Sequence, residues 1–384
     1  MLISSTRVLF GDSFHPLDIL MEDGIITRIS KRSSLGTPDI DFYDNPILPG
    51  FIDVHTHGAI NIDINHLTSY EDVDRLSLFF ASRGVTSFLA SVLTDTKEQT
   101  EKLLTILRLA IERGLSGASL VGIHLEGPFL CQEYKGAMPP SLILDGDNDL
   151  FDHYQKISGN NVRYITIAPE SKNCMTLIEH IKKTSPSTKI AIGHSAAEYE
   201  VAIEAIEKGA VAATHTFNAM KLFHMHRPAI SGAVLERDEV YTEVICDGFH
   251  LHPATVRLIL KTKGKDKVIA ITDSIMASGL PDGRYKLGVN DVVVKDGDAK
   301  LLDGVRAGST LTMDRALRNL IDFTKHDSSY LAPLMSKNAA TMLSLSDRGT
   351  LSEGKRGDIT VLTDNGEVLS VFVNGKNVFK REEK

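Results

Sequence analysis

A chain of 384 residues, 42% hydrophobic and 24% charged, has an ordinary globular composition and enough length for a barrel of about 250 residues plus a smaller module. Its formal charge of -8 and pI near 6.0 argue against nucleic acid as a main partner, and no apolar run approaches the roughly 20 residues of a membrane span. The three cysteines, Cys131, Cys174 and Cys246, are scattered and form no Cys-x-x-Cys, and the first residues lack a signal-peptide core, so a cytoplasmic protein is expected.

Residues 7–10, 17–21 and 25–29 read as short strands, with Asp23-Gly24 as a hairpin turn between the last two. The other end looks alike: strands over 358–362 and 368–373, then Asn374-Gly375. Two β-rich ends predict one small domain built from residues 1–48 and 348–384 around a middle of 49–347. That middle alternates strand and helix signals. Strands are predicted over 51–55, 87–92, 120–125, 162–167, 189–193, 210–214, 242–246 and 267–272, with helices among others over 100–113, 198–208 and 253–261. Eight such strands with helices between them predict a (β/α)8 TIM barrel.

The polar residues collect in one place on this map. His55 and His57 close the first strand; two apart on a strand, they share a face and can grip one divalent metal. His124 and Glu126 follow at the third, Gly193-His194-Ser195 at the fifth and His215 to Met220 at the sixth. Asp247-Gly248-Phe249-His250 closes the seventh and Thr272-Asp273-Ser274 the eighth. Barrel enzymes carry their active sites at the C-terminal ends of their strands. Polar groups at six strand ends in register point to such a site rather than to packing.

The stretches Pro49 to Gly58, Leu125-Glu126-Gly127-Pro128-Phe129, Gly193-His194-Ser195, His215 to Met220, Asp247 to His250, Ile271-Thr272-Asp273 and Ala307-Gly308-Ser309 resemble the amidohydrolase superfamily. Within it, the likeness is to the enzymes that deacetylate N-acetylglucosamine 6-phosphate. The resemblance implies a (β/α)8 barrel with a small β-sandwich from both termini, in keeping with the elements above. It implies metal ligands at Glu126, His194 and His215, the glutamate bridging. Because His55 and His57 are both present, two metals per subunit are expected. Imidazole and carboxylate ligands permit Zn, Fe, Mn, Co or Ni. Asp273 corresponds to the catalytic aspartate, which would take a proton from water activated by the metal and deliver it to the departing amine. Arg227 and His250 would contact the phosphate, His250 reaching the partner's site in a homodimer. Asn218 and Ala219 would hold the sugar, and Ala137, Arg306, Ala307 and Gly308 match further substrate contacts. The expected reaction is hydrolysis of the acetamide of N-acetylglucosamine 6-phosphate to glucosamine 6-phosphate and acetate, in amino-sugar catabolism and cell-wall recycling.

Other readings stay open: the galactosamine epimer or another N-acyl amino-sugar phosphate, a cyclic amidase or N-acyl-amino-acid hydrolase, and a metal-free scaffold. Met138 stands where some relatives carry a polar residue that orients the acetamide, and methionine donates no hydrogen bond. Arg306 occupies a position where an apolar residue is expected. His224 and His226 read as solvated or rim residues, His124 as a partner behind the ligands and Cys131 as a buried, inert thiol.

Overall fold

The structure, a computed structural model, describes residues 1–382; residues 383 and 384, the end of the expected terminal domain, lie outside the described residues. The apolar runs of the middle form eight parallel strands in chain order, from Phe51–Asp53 through Val85–Leu93, Ser119–Glu126, Val162–Ile167, Lys189–Ile192, Ala210–Ala213 and Tyr241–Ile245 to Val268–Ile271. Each lies within two residues of its predicted span. Val85–Leu93 is buried at every position, as a parallel strand covered on both faces must be. The intervening helices start and stop on local signals. Lys97–Arg113 begins at Thr96, whose hydroxyl accepts from the Gln99 N–H, and ends at Gly114. It lays Leu103, Leu104, Leu107 and Ala110 on the barrel wall. Pro253–Lys263 has proline at its first position and Gly264 after its last.

The first and last barrel strands share no regular ladder among the described residues. They are joined beyond their ends instead. The Asp273 N–H donates to the His55 carbonyl at 2.8 Å and the His57 N–H to the Ser274 carbonyl at 2.7 Å. Just below, the Thr272 hydroxyl donates to buried Asp53 at 2.6 Å. Burial pushes the Asp53 carboxyl up to about 6, against the pull of these hydrogen bonds. The barrel therefore closes at its C-terminal mouth, through the residues that bear His55, His57 and Asp273.

Both termini contribute to one eight-stranded sheet, separate from the barrel sheet. Along it run Lys376–Lys380, Val368–Val373, Ile359–Leu362, Ile47–Pro49, Leu2–Phe10, Ser13–Glu22 and Ile25–Lys31, with Ile40–Asp41 paired on Leu2–Phe10. Ile19, Ile26, Ile47, Ile359 and Phe372 share one core, so the sheet curls around its own apolar face. The Asp23-Gly24 turn and Asn374-Gly375 meet across it: a Cβ on Gly375 would lie 3.0 Å from the Gly24 Cα, a closeness only glycine allows. A further antiparallel sheet, Gly283–Leu287, Asn290–Lys295 and Asp298–Leu301, follows the last barrel strand and was not expected. No helix of the described residues is long and apolar enough to cross a membrane.

Candidate active site

At the barrel mouth, His55, His57, Glu126, His194 and His215 are buried and converge. Glu126 Oε1 lies 3.1 Å from Nε2 of both His194 and His215, and 3.4 Å from His55 Nε2. Its Oε2 lies 3.3 Å from His57 Nε2. The Nε2 atoms of His55 and His57 are 3.1 Å apart, as are those of His194 and His215.

The outward-facing nitrogens decide what these contacts are. His57 Nδ1 meets the Ser91 carbonyl at 3.1 Å, His194 Nδ1 the Tyr134 carbonyl at 2.8 Å and His215 Nδ1 the Asn218 carbonyl at 3.1 Å. His55 Nδ1 meets the Glu243 carboxylate at 3.0 Å. Carbonyls and carboxylates only accept, so in each ring Nδ1 carries a proton, and the neutral ring presents its lone pair at Nε2. Four lone pairs and a carboxylate thus face one another across about 3 Å, which is repulsive unless cations lie among them. The residues fall into two groups suited to a metal ion, His55, His57 and Glu126, and Glu126, His194 and His215, with Glu126 in both.

The backbone is bent to aim these groups. His194, His215 and Asp273 all have positive φ, at 48°, 29° and 48°. Non-glycine residues hold that conformation at a cost of about 1–3 kcal/mol each, a pattern typical of functional sites. Asp273 Oδ1 stands 3.1 Å from His57 Nε2. Gly308 packs behind it: a Cβ there would lie 2.9 Å from the Asp273 carbonyl and 2.4 Å from Ile275.

A cavity of about 440 Å³ opens over this cluster. His57, Glu126, His194, His215, Asp273, Ala137, Asn218, Ala219, His250, Arg306, Ala307 and Gly308 line it. His55 lies beneath, fully buried. Two expected substrate contacts are placed differently. His250 lines the cavity, with its Nδ1 2.6 Å from Asp247. Arg227 lies outside the cavity, exposed on the loop after Met220. Arg306 is drawn to the rim by a paired contact with Asp298, at 2.9 and 3.1 Å. Met138 is buried and lines the wall.

His124 sits one layer below, its ring 4.6 Å from that of His55. Both its nitrogens meet hydroxyls, Ser91 and Thr166, at 2.9 Å. Burial holds its basicity well below the usual range, so it stays neutral and supports the cluster from behind. His224 and His226 are exposed on the Arg227 loop. Cys131 is half-buried rather than buried, and burial raises its thiol. Sequence reasoning missed Glu243, Tyr134, Lys135, Leu93, Leu287 and Val305, of which all but Glu243 line the cavity. It also missed Glu170, which fixes the turn after His194 by accepting from the Ser195 hydroxyl at 2.7 Å and the Ala196 N–H at 2.5 Å.

The profile of the Amidohydrolase family matches residues 47–378. The N-acetylglucosamine-6-phosphate deacetylase of Bacillus subtilis (strain 168) is 37% identical over 344 residues, 88% of this chain and 86% of that protein. The N-acetylgalactosamine-6-phosphate deacetylase of Escherichia coli O157:H7 is 31% identical over 332 residues, 86% of this chain and 87% of its own length. A solved structure of a mutant N-acetyl-D-glucosamine-6-phosphate deacetylase from Mycobacterium smegmatis, in complex with N-acetyl-D-glucosamine-6-phosphate, superposes with a TM-score of 0.93 at 29% identity, covering 98% of this chain and 99% of that one. A match over most of the chain, on a barrel whose mouth gathers four imidazoles around one carboxylate, shows that this protein belongs to the amidohydrolase family.

Proposed function

We propose that the chain hydrolyses the acetamide of N-acetylglucosamine 6-phosphate, giving glucosamine 6-phosphate and acetate, in amino-sugar catabolism and cell-wall recycling. The observation that carries this reading is the ring of inward lone pairs around Glu126 with Asp273 at its edge. His55, His57 and Glu126 would hold one divalent cation, and Glu126, His194 and His215 a second. Zn, Fe, Mn, Co and Ni all suit these donors. When bound, such a cation lowers the pKa of water to about 7 and polarises the acetyl carbonyl. Asp273 takes the proton of the attacking water and returns it to the sugar nitrogen as the C–N bond breaks. Acetate and the free amine leave.

Asn218 and Ala219 hold the sugar, and Ala137, Ala307 and Gly308 shape the wall against it. His250, steadied by Asp247, meets the phosphate together with Arg227, whose planar fork suits an anion. Beside Arg227 the loop exposes Leu222 (62%), Phe223 (57%) and Met225 (76%), an apolar set that supports a partner surface. We therefore read the protein as a homodimer in which Arg227, rather than His250, serves the partner's cavity. Residues 1–48 and 348–384 form one domain and 49–347 the other in this reading, supported by the separate core of the terminal sheet. The three cysteines are all free, which fits a reducing, cytoplasmic setting.

Acetate release on N-acetylglucosamine 6-phosphate, its galacto epimer and unphosphorylated N-acetylglucosamine tests the proposal. The expected order of kcat/KM is gluco, galacto, then the unphosphorylated sugar. Faster turnover of the galacto epimer would favour the second reading, supported by the relative from Escherichia coli O157:H7. No acetate from either phosphate would refute both.

A further inference from the structure

Glu243 lies in the middle of the seventh barrel strand, with none of its side chain exposed. A fully buried carboxylate is costly unless donors or a positive charge face it. No lysine or arginine pairs with it among the described residues. Its Oε2 accepts two hydrogen bonds at 3.0 Å, one from His55 Nδ1 and one from the main-chain N–H of His215. The Glu243 carbonyl accepts from the next N–H, that of Thr216, at 2.9 Å. Its Oε1 and the buried hydroxyl of Tyr164 are both left without a partner.

These contacts join two things that are separate at the mouth. His55 belongs to one group of candidate ligands and His215 to the other. Glu243 grips the ring of the first and the backbone of the second through a single oxygen. The His215 backbone needs such a hold, since its φ of 29° is strained. Its negative charge also makes the His55 ring a better donor at Nε2, as carboxylates behind metal-bound histidines do.

We propose that Glu243 is a positioning residue that couples the two cation positions, setting the ring of His55 for one and the backbone turn of His215 for the other. This rests on the two-cation reading above. Wild type, Glu243→Gln and Glu243→Asp are stripped, reloaded with Zn²⁺ and titrated with chelator, with bound zinc followed by elemental analysis. Thermal unfolding of the metal-free forms is measured alongside.

Glu243→Gln removes the charge and keeps the shape. Zinc affinity should fall about 10–100-fold at both positions. The metal-free Tm should hold or rise, because a buried charge is gone. Saturating zinc should then return most of kcat with KM unchanged, which a merely structural residue would not allow. Glu243→Asp keeps the charge but withdraws it, and should bind zinc with intermediate affinity; it serves as the deciding variant should the glutamine form not fold. Wild-type affinity at both positions in the folded variant, or a loss confined to the His55 position, would overturn the coupling. A wild type that takes up no zinc would instead refute the two-cation reading itself.

Discussion

Asp273→Asn separates proton transfer from everything else at the mouth. Asp273 is 7% exposed and has a φ of 48°, a conformation asparagine tolerates better than most residues. Its main-chain bonds to His55 and Ser309, at 2.8 and 2.7 Å, do not depend on the side chain. The barrel closure and the Glu126 cluster should therefore survive, and the amide keeps the carboxylate's size. What it loses is the ability to accept a proton. General acid–base help is worth about 10²–10⁴-fold, equal to about 2.7–5.4 kcal/mol on the barrier at 1.36 kcal/mol per tenfold. kcat for acetate release, measured with metal in excess, should fall by at least about 100-fold with KM little changed. Bound metal should stay, and the acidic limb of the pH–rate profile should vanish. A near-normal kcat would refute the assignment and move the base to Glu126 or the histidines.

Replacing His55 and His57 together with asparagine should remove one equivalent of metal and leave the other on Glu126, His194 and His215; elemental analysis showing neither retained would contradict two separable positions. Arg227→Ala should impair the phosphorylated sugar by a few kcal/mol at most and leave the unphosphorylated one untouched, whereas equal losses on both would show that Arg227 does not read the phosphate. Lys263 donates to the Val234 and Arg237 carbonyls at 2.9 and 2.5 Å, and burial lowers its ammonium to about 8 from 10.5. Between those values the unfolded chain binds more protons than the folded one, so this group makes stability rise with pH across that window. Lys263→Met should flatten that rise in denaturant titrations, and an unchanged slope would count against it.

The Glu126 cluster was legible because each member closes an apolar strand, and strand ends in a parallel barrel share one mouth. His55 and His57 needed only the two-residue alternation of a strand. Asp273 needed only its place after Val268–Ile271. Glu243 offered no such spacing: it is a single acid inside Tyr241–Ile245, and the ring it holds is 188 residues away. Its one signal was a lone carboxylate within an otherwise buried strand. The sheet from Gly283 to Leu301 had readable parts, among them Asp296-Gly297, a good hairpin turn between Asn290–Lys295 and Asp298–Leu301. Its place over the cavity had none, because that rests on distant contacts, Asn290 to the Ala137 carbonyl at 2.7 Å and the Gly288 N–H to Asp63 at 2.8 Å. The placement of His250 in the cavity wall has the same origin. The Asp247–His250 bond turns the imidazole inward, and nothing in the local pattern of residues announces that direction.

In the proposed reaction, Glu126 and the four imidazoles hold the cations on which hydrolysis depends. Protein stripped with chelator and titrated with Zn²⁺ or Co²⁺, followed at once for bound metal and for acetate release from N-acetylglucosamine 6-phosphate, tests it most directly. Activity should start near zero, rise with bound metal and level off at two equivalents per chain. Full activity in stripped protein, or metal uptake with no gain in acetate release, would contradict the claim.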